Sequence, residues 1–241
     1  MSNRRTKKIF KQVRNANLKY NLIENGDKIA AAMSGGKDSY IMLYSLTMLQ
    51  KFTPLMFEVV PVNIDLGWQN DVEPLRKFCE RLDLTLHVEP TNIGQVVFDC
   101  REENNPCALC ANLRRGAINR VSKELNCNKV ALGHHLDDVV HTLFLSILFE
   151  GRHNVFKPKT YLDRMDITFI RPLIYVEERD IELLTASLNL IPVVNRCPAD
   201  GQTRRADMKV LLDTIEKDYP GARKQFLSSL ENIGPDSFWK Y

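Results

Sequence analysis

The sequence lacks the long apolar segments that cross a membrane or direct a chain to secretion. No run of eighteen or more apolar residues occurs, and charged side chains appear among the first residues. We therefore expect no membrane span and no secretory signal, and we expect a cytoplasmic protein. The sequence also contains no internal repeat and no low-complexity tract.

The sequence also lacks a large excess of charge of one sign, because it contains 33 basic and 30 acidic residues and has a net charge of +3. The basic residues are unevenly distributed. One cluster lies in a segment that contains no acidic residue and comprises Arg4, Arg5, Lys7, Lys8, Lys11 and Arg14. A second comprises Arg204, Arg205 and Lys209. Such clusters suit a nucleic-acid backbone, although a short basic arm can equally be a solvated surface.

A disulfide framework is not expected either. Six cysteines in a 241-residue chain of this kind are reduced thiols, ligands or core residues rather than a set of cross-links. Cys79 and Cys127 fall in or beside apolar helical segments, which predicts burial in the core. Cys100 follows the apolar residues 96–98, and the sequence does not define its role.

Strand-like and helix-like segments alternate along most of the chain, which is 44% hydrophobic and 26% charged. This pattern predicts an α/β fold with a doubly wound, mostly parallel sheet. Five strands are predicted, over residues 29–33, 57–64, 84–88, 129–132 and 167–170. We predict a basic helical segment over 1–25, a central domain over 26–190 and a helical C-terminal region over 191–241.

The hexapeptide 34–39 stands between the first strand and a helix-like run, and we call it the glycine loop. It comprises Ser34, Gly35, Gly36, Lys37, Asp38 and Ser39. Two glycines let the backbone approach an anion, and the N–H groups of a following helix would point at it. Lys37 adds a cation and the serines add hydroxyl groups. The alternative is a simple turn in which Ser or Asp caps the helix.

The loops after the other strands are predicted to meet the glycine loop, because ligands bind beyond the carboxyl ends of parallel strands. The segment 133–138 follows the fourth strand and contains Gly133, His134, His135, Asp137 and Asp138. One aspartate could hold Mg²⁺, whereas either could merely stabilise the start of a helix. His141 is expected to be only a neighbour on that helix.

A Cys-x-x-Cys pair, Cys107 and Cys110, follows the irregular segment 91–106. Two such thiols can hold one metal or cluster, or form a redox dithiol. A redox dithiol would normally open a helix in a much smaller fold, whereas this pair follows a long loop and the next helix is expected from about residue 111. No second Cys-x-x-Cys occurs, which counts against a closed zinc site of four cysteines. Cys197 is the natural third ligand, because it lies in a predicted loop close to the second basic cluster. Three thiolates suit a [4Fe–4S] cluster with one open iron, or zinc completed by His134, His135 or water.

The motifs together resemble a known family. SGGKDS resembles the PP-loop of the ATP pyrophosphatase superfamily. The chain as a whole resembles the tRNA 2-thiocytidine synthetase family over about residues 5–230. The resemblance lies in the order of five motifs, which are SGGKDS, PCALCANLRRG, ALGHHLDD, RPL and a late lone cysteine. The chain departs from that pattern in having only one late cysteine, and it lacks the terminal zinc modules of the related 2-thiouridine enzymes.

The resemblance implies a tRNA sulfurtransferase that uses ATP, Mg²⁺ and a [4Fe–4S] cluster. Such enzymes adenylate the C2 oxygen of a tRNA pyrimidine, cytidine 32 in the name-giving members, and sulfur on the cluster's free iron then displaces AMP. The sulfur donor would be sulfide or a cysteine desulfurase persulfide. By the same resemblance, the cluster ligands are Cys107, Cys110 and Cys197. The nucleotide contacts are residues 34–39, Ile64, Gly133, Asp137 and Asp138, and Arg114 is a cation near ATP.

Three alternatives stay open at this point. The chain could thiolate uridine, or it could be a PP-loop enzyme with an amine nucleophile, which would not need the three cysteines. A non-enzymatic iron–sulfur RNA sensor is the third. A homodimer formed through the terminal helices is also compatible with the sequence.

Overall fold

Six strands form one sheet at the centre of the fold, in the order β3-β2-β1-β4-β6-β5. The computed structural model describes residues 2–68, 70–100, 106–193, 197 and 204–234. The strands are β1 (Lys28–Ala32), β2 (Glu58–Asp65), β3 (His87–Pro90), β4 (Lys129–Ala131), β5 (Lys159–Leu162) and β6 (Ile167–Ile170). All neighbouring pairs are parallel except β5 with β6.

Most apolar residues of the two central strands are buried, as a parallel sheet covered on both faces requires. Ile29, Ala30 and Ala31 of β1 and Val130 and Ala131 of β4 are completely buried. The predicted α/β class is therefore confirmed, with a mostly parallel sheet.

The predicted number of five strands is wrong, because β5 adds an antiparallel edge strand. Its residues are half-buried or exposed, so they carry no apolar alternation that would reveal a strand. The turn before β6 places Asp166 in the left-handed region, at φ 47°. The third strand also begins later than the predicted residue 84, at His87.

The helices are α1 (Ser2–Tyr20), α2 (Lys37–Phe52), α3 (Glu73–Glu80), α4 (Ile93–Gln95), α5 (Pro106–Glu124), α6 (Leu136–Glu150), α7 (Glu178–Ser187), α8 (Arg204–Asp218) and α9 (Ala222–Glu231). A π-helical turn, Val96–Cys100, follows α4. The first helix was expected to continue to about residue 25 but ends at Tyr20. The next residue, Asn21, adopts the left-handed conformation that often ends a helix, at φ 48°. None of the described helices is long and apolar enough to span a bilayer.

The start of α5 differs most from the sequence prediction. We expected a helix from about residue 111 after a loop, but α5 begins at Pro106, a residue that favours the first helical position. The Cys-x-x-Cys pair therefore does open a helix. The argument against a redox dithiol from its loop position is wrong, and the choice between ligand and dithiol must rest on other observations.

Two compact units divide the chain. One comprises residues 1–135 and 157–200 and holds the whole sheet. The other comprises residues 136–156 and 201–241, and its helices α6 and α9 pack through Phe144 and Phe226, whose ring centroids are 4.9 Å apart. The domain boundaries at residues 25/26 and 190/191 stay predictions.

Cys79 and Cys127 are buried, at 0% and 2% exposure. Burial raises the pKa of the Cys79 thiol to about 11, and it also raises the pKa of Cys127. Cys127 lies in the core cluster that Ile118 and Val121 of α5 form with the central strands. Both cysteines are therefore core residues, as predicted.

Candidate nucleotide and thiol site

The glycine loop follows directly from the end of β1. Met33 N–H donates to the carbonyl of Val62 (2.8 Å), and the buried Asn63 amide donates to the carbonyl of Met33 (2.6 Å). These bonds fix Met33, the residue that follows the strand, before the chain turns into α2. The position of the loop is therefore set by the central sheet.

No side chain in the described part of the chain caps α2. Its N-cap is Gly36, which has extended backbone angles, and Ser39 Oγ donates to the Gly36 carbonyl (2.8 Å) rather than accepting a bond from the helix start. Ser34 Oγ accepts from Gly36 N–H (3.3 Å). The capping alternative is therefore wrong for this loop. Its helix N-terminus has the backbone donors and dipole that favour an anion.

The structure requires a residue without a side chain at Gly35 but not at Gly36. Gly35 adopts φ +84°, and a Cβ there would lie 2.7 Å from Val193 Cβ. Val193 N–H also donates to the Gly35 carbonyl (2.9 Å). At Gly36, a Cβ would meet only Ser34 Oγ at 3.5 Å, an ordinary contact. Gly35 is therefore required by the segment that follows α7, a partner the sequence did not indicate.

Lys37 lies between two carboxylates. Its Nζ is 2.8 Å from Glu178 Oε1 and 3.4 Å from Asp38 Oδ1. Burial opposes the charge on Lys37, but the bond to Glu178 and the charge of Asp38 outweigh it, so the pKa of Lys37 lies above its ordinary value. Sequence reasoning missed Glu178, for which the only signal is an acid in the first turn of a helix.

The segment after β4 packs directly on the start of α2. A Cβ at Gly133 would lie 3.2 Å from the Asp38 carbonyl carbon and 3.3 Å from Ser39 N, so a larger residue would push the two segments apart. The buried His135 has Nε2 at 3.7 Å from Asp38 Oδ1. The loops after the first and fourth strands therefore meet, as predicted for one sheet edge.

The two aspartates lie in the first turn of α6 and differ in accessibility. Asp137 is buried, and its Oδ1 is 3.3 Å from Nε of Arg223 in α9. Asp138 is half-buried, and its carbonyl accepts from Thr142 Oγ1 (2.7 Å). Of the two carboxylates, that of Asp138 is therefore the more accessible. His141 is buried on the same helix.

The end of β2 supports the thiol-bearing helix. Half-buried Ile64 packs against the apolar cluster formed by Leu66, Ile93 and Val97, and Cys110 packs against the same cluster. The Asp65 carboxylate accepts from Gly67 N–H (3.0 Å), which closes the turn after the strand. The cysteine pair therefore lies at the carboxyl end of β2.

Two of the three predicted ligand cysteines act electrostatically on the third. Cys107 is exposed, whereas Cys110 and Cys197 are half-buried, and none of them forms a disulfide. Burial raises the pKa of the Cys110 thiol, the nearby Arg114 opposes that rise, and Cys197 and Cys107 add to it. Cys197 thus acts on the Cys110 thiol, although it lies 87 residues away in the sequence.

The donor chemistry fits a thiolate-bound cluster better than a zinc site completed by His135, because His135 faces Asp38. Within the described ranges, however, no group of three or more His, Cys, Asp or Glu side chains is arranged to hold a metal ion. The thiols are thus near one another without forming a finished ligand set. The side chains of Cys100, Arg204 and Arg205 lie outside the described residues.

Known proteins resemble this chain in sequence. A family model for the PP-loop domain matches residues 2–195. The tRNA-cytidine(32) 2-sulfurtransferase of Geobacter sulfurreducens is 40% identical over 98% of this chain and 93% of its own length. That of Paraburkholderia phytofirmans is 38% identical over 97% of this chain and 70% of its own.

Solved structures agree on the fold. The U34-tRNA thiolase NcsA from Methanococcus maripaludis, with its [4Fe–4S] cluster, superposes with a TM-score of 0.77 at 26% identity, over 97% of this chain and 81% of that one. An NH3-dependent NAD synthetase from Campylobacter jejuni, at 16% identity and a TM-score of 0.51, over 98% of this chain and 90% of that one, shares the fold alone. From the glycine loop, the matching domain and these relatives, the chain belongs to the PP-loop family of tRNA-cytidine(32) 2-sulfurtransferases.

Proposed function

We propose that this protein is an ATP-dependent tRNA sulfurtransferase that replaces the C2 oxygen of cytidine 32 with sulfur. The observation that carries the proposal is the occurrence, in one compact unit, of an uncapped glycine loop and of three cysteines, two of which act on the thiol of the third. The first suits a polyphosphate and the second suits a sulfur-carrying cluster. Relatives that match 97% and 98% of this chain carry this activity in their names.

The glycine loop would bind ATP. The backbone N–H groups at the start of α2 and the ammonium of Lys37 would hold the phosphates, while Ser34 and Ser39 would add hydroxyl bonds. Asp138 would supply the hard oxygen ligand that Mg²⁺ prefers, because Asp137 is buried against Arg223. Gly133 and Ile64 would border the nucleotide.

Adenylation explains why ATP is needed. The C2 oxygen of cytidine is a poor leaving group, and transfer of AMP to it, with release of pyrophosphate, converts it into a good one. Sulfur then forms the new bond to C2 while the C2–O bond breaks, and AMP leaves with the oxygen. Lys37 and Arg114 would bind and orient the phosphates during the first step, and the Asp38 carboxylate would orient the Lys37 ammonium.

Cys107, Cys110 and Cys197 would hold a [4Fe–4S] cluster. Bound on three thiolates, such a cluster supplies an iron with an open position at which sulfur can be held. The apolar contacts of Cys110 would keep water away from it. Sulfide or a cysteine desulfurase persulfide would supply the sulfur, and reduced thiols of this kind suit the cytoplasm.

The basic face of α1 would contact the tRNA. Its exposed cations are Arg4, Lys7, Lys8, Lys11, Arg14 and Lys19. A shallow cavity of about 560 Å³ lies beside them, lined by Gln12, Asn15, Leu18, Lys19 and Tyr175. Lys19 Nζ is 5.6 Å and 6.0 Å from the ring centroids of Tyr20 and Tyr175. Cations and aromatic rings together are typical of sites for unpaired RNA.

Uridine thiolation is the second candidate, favoured by the structural likeness to a U34-tRNA thiolase. An amine nucleophile is disfavoured, because it would leave the three neighbouring cysteines without a role. A homodimer through the terminal helices stays a prediction.

Mass spectrometry of tRNA nucleosides from cells with and without this gene tests the proposal. We expect loss of 2-thiocytidine alone. Loss of a 2-thiouridine instead would move the protein to the uridine branch, and no change in any thionucleoside would refute thiolation.

A further inference from the structure

A half-buried pair of aromatic rings lies just beyond the end of β2. The ring centroids of Trp68 and Phe98 are 5.8 Å apart, and the two ring planes form an angle of 57°. Both rings pack against the same apolar cluster as Cys110. All three residues belong to the compact unit that holds the sheet. The indole of Trp68 therefore lies at the same end of β2 as the thiol-bearing helix, and β2 is the neighbour of β1, which leads into the glycine loop.

The surrounding backbone fixes the position of this indole. Gly94 N–H donates to the carbonyl of Leu66 (2.8 Å), and Thr91 N–H donates to the carbonyl of Asp65 (2.9 Å), so the loop after β2 is bonded to the loop after β3. A Cβ at Gly94 would lie 2.6 Å from Cε2 of the indole, a separation that real side chains do not adopt. The indole therefore packs directly on the backbone of residue 94, as only glycine allows.

A tryptophan at this position could merely cover the apolar cluster. A branched aliphatic side chain would serve that purpose, and it would need neither a fixed ring nor a glycine beneath it. Trp68 instead combines a fixed ring with partial exposure. A rigid and accessible aromatic surface is suited to an unpaired nucleobase, because every base has a π-face that can stack on it.

The proposed reaction requires such a base beside the thiols. A pyrimidine that is stacked within the anticodon loop does not present its C2 atom to an enzyme, so the target base must leave the stack. It then loses the contacts with its neighbours, and an aromatic side chain can replace them. Among the described residues that pack on the Cys110 cluster, the aromatic ones are Trp68 and Phe98.

We propose that Trp68 is the residue on which the target pyrimidine of the tRNA stacks once that base has left the anticodon-loop stack. The inference rests on the proposed tRNA thiolation and identifies the side chain that receives the base. The indole replaces the lost stacking, and its place beside the Cys110 cluster keeps the base near the thiols. Phe98 packs on the indole and supports it.

Equilibrium binding of two fluorescein-labelled anticodon stem-loop RNAs to the cluster-reconstituted full chain tests the inference. One RNA has cytidine at position 32 and the other has an abasic nucleotide there, so the ratio of the two affinities reports on the base. We expect Trp68→Leu to lower the preference for the cytidine RNA by about fivefold or more, the order expected for loss of one base–aromatic stack. Trp68→Phe keeps an aromatic ring and should keep the ratio within about twofold of the wild type.

Two controls separate this role from structural support and from ATP binding. Phe52→Leu removes an exposed ring at the far end of α2 and should leave the ratio unchanged. ATP is titrated without RNA on the same variants, and an affinity like that of the wild type is expected for Trp68→Leu, which would also show that this variant is folded.

Three results would overturn the inference: an unchanged ratio in Trp68→Leu, equal weakening of both RNAs, or weaker binding of ATP, which would assign the indole to adenine. Thiolation is tested separately on tRNA nucleosides. Loss of 2-thiocytidine together with an unchanged ratio would remove the role of Trp68 and leave the proposed function standing.

Discussion

Substituting Gly35 by alanine should destabilise the fold far more than the same change at Gly36. At φ +84°, a residue with a Cβ costs about 1–2 kcal/mol. The new methyl group would also lie 2.7 Å from Val193 Cβ, about 1 Å inside the ordinary separation of two carbons. Overpacking of that kind typically costs about 1–3 kcal/mol, so the sum is about 2–5 kcal/mol.

Gly36→Ala is the matched control in the same loop. Gly36 has φ −77° and ψ 157°, which any residue adopts, and its Cβ would make only an ordinary contact. We expect a loss of less than about 1 kcal/mol, in line with alanine as a weak N-cap. Urea titration of both variants, without ligands, measures the difference in the free energy of unfolding.

A double-mutant cycle isolates the contact with Val193. Val193→Gly removes the atoms that the Gly35→Ala methyl group would strike, so it should cost at least about 1 kcal/mol less in the Gly35→Ala background than in the wild type. Equal losses for the two glycine variants, or equal costs of Val193→Gly in both backgrounds, would refute this account of Gly35.

Three further predictions concern the proposed activity. Cys197→Ala should lose the cluster while ATP binding survives, and full retention of iron and sulfide after anaerobic reconstitution would contradict the three-cysteine assignment. Lys37→Ala should keep its iron and sulfide but lower AMP release by about 100-fold or more, as loss of a key charge stabiliser does; release at the wild-type rate would disprove the phosphate role. Replacing Lys11 and Arg14 together by alanine should weaken tRNA binding and reduce the slope of log affinity against log salt by about 2, if both cations contact phosphates. An unchanged slope would place the tRNA elsewhere, and fluorescence titration at several salt concentrations measures it.

The sequence predicted those parts of the fold that depend on local pattern. The apolar run before Ser34 and the helix-like run after it correctly indicated a strand, a glycine turn and a helix. The edge strand β5 escaped notice because its half-exposed residues carry no apolar alternation. The start of α5 was misplaced because the length of the preceding segment suggested a loop, whereas Pro106 was the better signal.

The contacts within the site could be predicted only in part. The parallel topology correctly predicted that Gly133 lies at the start of α2, because strand order alone decides which loops are neighbours. Glu178 and Val193 were not predicted, since each meets the glycine loop through tertiary packing across more than 140 residues. The spacing of residues within one segment does not indicate contacts between segments that are distant in the sequence.

The bond from Val193 to Gly35 also limits how far the third thiol can be from the glycine loop. Cys197 follows Val193 by four residues, and four residues of fully extended chain span no more than about 14 Å. Val193 is held at the glycine loop by its bond to Gly35, and the short length of chain after it limits how far Cys197 can lie from that loop. Any rearrangement that gathers the three thiols around a cluster must take place within that radius. The phosphate-binding end and the sulfur-carrying end of the proposed reaction are therefore kept within reach of one tRNA base.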